Sequence, residues 1–64
     1  MTNEQKAALY DQYVRESEQL QRINSKLKSD YPINVPQEIQ TQIDGNNSKI
    51  DSLVVKLQSL FNQD

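Results

Sequence analysis

Cysteine, histidine and tryptophan are all absent from this 64-residue chain. Without cysteine there is no disulfide framework and no thiolate metal site. Without histidine the commonest metal ligand and the commonest general base are missing as well. Neither sign of charge dominates: 7 Lys and Arg stand against 9 Asp and Glu, a net charge of −2, so no strong nonspecific attraction to nucleic acid or an anionic membrane is expected. No apolar run approaches the roughly 20 residues of a membrane span. The opening "MTNEQKAALY" lacks the apolar core of a signal peptide. A cytoplasmic protein, or one packaged with a virion, is the expectation. No cofactor, metal or small-molecule substrate is expected.

Glycine occurs once and proline twice, so little interrupts a helix, and the abundance of Gln, Asn and Ser over aromatic and β-branched residues disfavours strands. The apolar residues follow a helical repeat. Leu9, Tyr13, Glu16, Leu20, Ile23 and Leu27 are spaced alternately by four and three. So are Ile39, Ile43, Asn46, Ile50, Leu53, Leu57 and Leu60. This is the seam of a coiled coil, with a = 13, 20, 27 and d = 9, 16, 23 in the first segment, then a = 43, 50, 57 and d = 39, 46, 53, 60 in the second.

Between the segments lies "SDYPINVPQE". The residue before a proline is pushed toward extended geometry, so the first helix must end near Ser29. Pro36 suits the first turn of a second helix, where Glu38 favours the N-terminal dipole. Thr2 and Gln5 have the spacing of a capping box. The expected architecture is all-α: a single antiparallel helical hairpin with a helix over 3–29, a loop over 30–35 and a helix over 36–62. The expected register pairs Leu27 with Ile39, Ile23 with Ile43, Leu20 with Asn46, Glu16 with Ile50, Tyr13 with Leu53 and Leu9 with Leu57. Glu16 and Asn46 then form adjacent polar layers that set the register.

The segment "TQIDGNNSKID" looks like a turn, but the heptad phase continues unbroken from Ile39 to Leu60, so the second helix is expected to run straight through Gly45. Its glycine is misplaced for a calcium loop, and no glutamate closes the twelfth position.

The two flanks of the seam differ. The e positions carry Tyr10, Ser17, Asn24 and Tyr31, then Gln40, Asn47, Val54 and Phe61; the g positions carry nothing apolar. Tyr10, Val54 and Phe61, extended by Val14, should meet at the open end as a partner interface. A chain of this size buries little surface alone. The expectation is therefore a four-helix bundle, completed by dimerisation or by docking on a larger helical assembly. The opposite side gathers Arg15, Arg22, Lys26, Lys49 and Lys56, a possible nucleic-acid face. It has no interleaved aromatic residue for base stacking, and Asp11 and Glu18 stand four residues before Arg15 and Arg22, the spacing of ordinary surface ion pairs.

The hairpin plan, with its expected pairing into a four-helix bundle, and the opening residues Met1, Thr2, Lys6, Ala8 and Leu9 resemble the Rop family of plasmid copy-number regulators. That resemblance implies an RNA-contacting face on the first helix built from Asn, Phe, Gln and Lys. The matching positions here are Tyr10, Val14, Glu18 and Ser25, and none keeps the family residue. The longer Pro-marked loop departs as well. The reading is accordingly a non-enzymatic protein–protein interaction module, a small structural, assembly or adaptor subunit of the kind found among phage and plasmid accessory proteins. A Rop-like RNA- or DNA-binding regulatory dimer is the alternative.

Overall fold

A computed structural model describes residues 1–62 as two α-helices, α1 (Asn3–Asp30) and α2 (Gln37–Asn62), packed against each other. The N-terminus of α1 is closed by the expected capping box. The Gln5 amide donates to Thr2 Oγ1 at 3.1 Å, and the Thr2 amide donates to Gln5 Oε1 at 2.9 Å. Both bonds satisfy backbone donors that have no partner within the helix. At the other end the Tyr31 amide donates to Leu27 O at 3.1 Å, and the chain then leaves helical geometry ahead of Pro32.

The loop makes its turn at Asn34, whose φ of 57° lies in the left-handed region that asparagine tolerates better than other non-glycine residues. The second helix starts one residue later than expected, at Gln37. Pro36 stands just outside it and accepts from the Gln40 amide at 3.0 Å through its carbonyl. Glu38 occupies the first turn. The helix passes through Asp44–Asn47 without interruption.

The seam of α2 follows the expected repeat. Ile43, Leu53 and Leu60 are buried, and Ile39, Asn46, Ile50 and Leu57 are half-buried. On α1 the repeat differs. The inward residues include Leu9, Tyr13, Ser17, Leu20, Asn24 and Leu27, so Leu9 stays on the seam while Ser17 and Asn24 replace Glu16 and Ile23. Ile23 is 42% exposed while Asn24 is only 6% exposed.

The physical reason lies in what Glu16 would suffer on the seam. Burying a carboxylate against Ile50 without a cation would cost several kcal/mol. Leaving one isoleucine partly in water forfeits only part of about 1.5–3 kcal/mol. With α1 rotated, Glu16 is exposed and accepts from Gln12 Nε2 at 3.2 Å. The newly inward Ser17 is satisfied locally, its hydroxyl donating to Val14 O at 2.9 Å.

The level of the pairing changes with the rotation. Asn46 meets Asn24 where Leu20 was expected, a residue about one helical turn further along α1. Tyr13 lies under Lys56, whose Nζ is 5.7 Å from the ring centroid, about one helical turn beyond Leu53 along α2. The expected Glu16–Asn46 polar pair is therefore corrected to an asparagine cluster. Asn46 Nδ2 donates to Asn24 Oδ1, and Asn24 Nδ2 donates to Asn47 Oδ1, both at 2.9 Å.

Candidate functional site

The antiparallel arrangement sets the first turns of α1 against the last turns of α2, and there the chain leaves its largest apolar side chains partly uncovered. Tyr10 and Phe61 pack edge to face, with ring centroids 5.6 Å apart and an interplanar angle of 72°, an arrangement favoured by the aromatic quadrupole. Each nevertheless keeps much of its surface in water, 45% for Tyr10 and 74% for Phe61. Lys6, Ala7, Tyr10, Leu60 and Phe61 line an open, mainly apolar notch of about 340 Å³.

Of the four expected interface residues, the structure brings Tyr10 and Phe61 into contact. Val14 sits one turn beyond Tyr10 and is half-buried. Val54, two turns before Phe61, is 43% exposed. Sequence reasoning missed Leu60 and Lys6 as walls of the notch: the expected pattern assigned Leu60 to the seam alone and gave Lys6 no place on this face. It also missed exposed Val55 and the loop residues Ile33 and Val35, because heptad analysis has no place for apolar residues in a loop or on an outer position.

The basic side is less available than its composition suggests. Arg15 Nε lies 3.1 Å from Asp11 Oδ2, the ion pair expected from the spacing. Lys56 is drawn over the Tyr13 ring, a cation–π contact. Lys49 and Lys56 share a shallow groove with Glu16, Leu20, Ser48, Ser52 and Leu53, so a carboxylate stands among the lysines. Arg22 and Lys26 are exposed on α1. Ile23, turned outward by the rotation of α1, adds an exposed apolar residue one heptad beyond Glu16, on a side expected to carry none.

Among the described residues no cluster of three or more acidic, histidine or cysteine side chains could hold a metal ion. No helix among them is long and apolar enough to cross a membrane. Compared with protein-family models, curated proteins and solved structures, the chain matches none. The site must be read from its own chemistry.

Proposed function

We propose that this chain is a non-enzymatic helical interaction module, a small cytoplasmic structural, assembly or adaptor subunit that packs its open-end apolar face against another helical surface and so completes a four-helix bundle. One observation carries this reading. The apolar core contains just Ile43, Leu53 and Leu60 as buried residues among those described, with no side chain wholly enclosed, while Tyr10, Val54 and Phe61 stay in water. Two helices of this length joined by one seam bury too little to be self-sufficient, and exposed aromatic side chains around a notch supply the surface that a partner would cover.

The reading is tested by recording mass and helicity together at low micromolar concentration. The expected result is helicity that rises with assembly and falls when Phe61→Glu is introduced. A fully helical monomer, melting cooperatively and unchanged by Phe61→Glu, would show the face to be idle and overturn the reading.

The nucleic-acid alternative draws less support, because Arg15 and Lys56 already have intramolecular partners and Glu16 borders the lysines. Titration with duplex RNA at low salt is expected to show no binding. A steep salt-dependent affinity would reverse the preference.

A further inference from the structure

The centre of α2 carries local signals that its continuous helix does not use. Residues 44–48, Asp-Gly-Asn-Asn-Ser, are consecutive poor helix formers. Gly45 is the residue type that most often ends a helix. Ser48 is a strong N-cap residue, and Asp51 three residues later would favour the N-terminus of a helix begun there. A stop and a start therefore stand side by side within one unbroken element.

We infer that α2 is built to open at this point. A second state, in equilibrium with the continuous helix, breaks between Gly45 and Ser48, and Asn24 of α1 is the latch that holds the two halves in line. One half keeps Ile39 and Ile43 at the loop end. The other carries Val54, Leu60 and Phe61 at the open end, so the break lets that face change its angle against α1. The opening does not depend on the docking reading.

Side-chain bonds within α2 stop on either side of the break. Gln40 Nε2 donates to Asp44 Oδ1 at 2.9 Å, and Ser52 Oγ donates to Ser48 O at 3.2 Å; among the described residues none crosses Gly45. No neighbouring group leans on the glycine, since an added Cβ would meet no atom within 4 Å.

What spans the break comes from α1. Asn24 accepts from Asn46 and donates to Asn47, each bond 2.9 Å long, and so grips the two residues directly after the glycine. This layer of the seam, between Ile43 and Ile50, is polar. Opening it hands amide groups to water, which replaces their bonds at small net cost, whereas opening an apolar layer exposes hydrocarbon. The seam is easiest to part where α2 is easiest to break.

Native-state amide hydrogen exchange of the full chain tests this. The amides of Asn47, Ser48 and Lys49 give up helical acceptors when the break forms. They should exchange at least about tenfold faster than those of Ile43 and Leu53. Their rates should be nearly independent of denaturant below the unfolding transition, because the break exposes little surface. Gly45→Ala should slow exchange at the three positions about fivefold, the helix-propensity difference between the two residues. Asn24→Ala, made in the Gly45→Ala chain so that the fold is retained, should speed it again by about tenfold. Equal protection and equal denaturant dependence across residues 43–53 of the native chain would overturn the break. Unchanged exchange in Gly45→Ala would overturn its position, and unchanged exchange on adding Asn24→Ala would overturn the latch.

Discussion

Asn24 of α1 accepts from the side-chain amide of Asn46 on α2 and donates to the side-chain oxygen of Asn47, each bond 2.9 Å long. One buried amide thus engages two successive residues of the facing helix, and no apolar substitute can reproduce that pairing. Its value lies in fixing the level at which the helices meet, as single asparagines do in coiled-coil seams. Removing it while keeping its partners should be costly. Asn24→Ala is expected to destabilise the folded chain by about 1–3 kcal/mol, because the Asn46 and Asn47 amides lose their bonds in a partly dry seam. Denaturant titration measures this, and a change under half a kcal/mol would mean that water replaces the lost bonds freely. The paired change Asn24→Leu with Asn46→Leu should recover stability and lose uniqueness of register, which disulfide cross-linking of cysteine pairs introduced into the two helices would reveal as a mixture.

The rotation of α1 can be tested at two apolar residues. Leu53 is 5% exposed and Ile23 is 42% exposed. Leu53→Ala should cost about 2–5 kcal/mol, and Ile23→Ala should cost no more than about 1 kcal/mol. Comparable losses at the two sites would place Ile23 back on the seam and refute the observed register. Both variants are to be compared at one protein concentration, because the assembly proposed above would couple to stability.

Gly45 lies within α2, and a Cβ added there meets nothing within 4 Å. Its backbone is helical, so Gly45→Ala should stabilise the chain by about 1 kcal/mol through helix propensity alone. Thermal unfolding followed by circular dichroism is sufficient to read the change. No gain would indicate that the helix breaks at this point in solution.

The capping box at Thr2 and Gln5 makes a fourth kind of test, local to one helix end. Thr2→Ala removes the acceptor for the Gln5 amide and should cost about 1 kcal/mol. Thr2→Asp should retain that acceptor and add a favourable charge at the helix N-terminus. Amide hydrogen exchange over the first turn would report the difference, with faster exchange in Thr2→Ala only.

The amino-acid sequence by itself determined the elements of this protein. Spacings of four and three residues can bury one stripe on a helix and cannot alternate across a strand, and Pro32 and Pro36 leave one place for the chain to turn. The α2 stripe, the capping box and the continuous path through Gly45 were all legible for the same reason: each depends on residues close together along the chain. The encounter of Tyr10 with Phe61 was legible too, because any antiparallel hairpin brings its two ends together. Tertiary structure alone decided which stripe of α1 faces inward. Leu9 is half-buried as expected, while Glu16 and Ile23 keep the heptad spacing as well as Ser17 and Asn24 do. The choice between them turns on terms that belong to the pair: the desolvation of Glu16 against a facing apolar residue, and the two amide partners that Asn24 finds on α2. Those partners lie more than twenty residues away in sequence, and their geometry exists once the helices have docked.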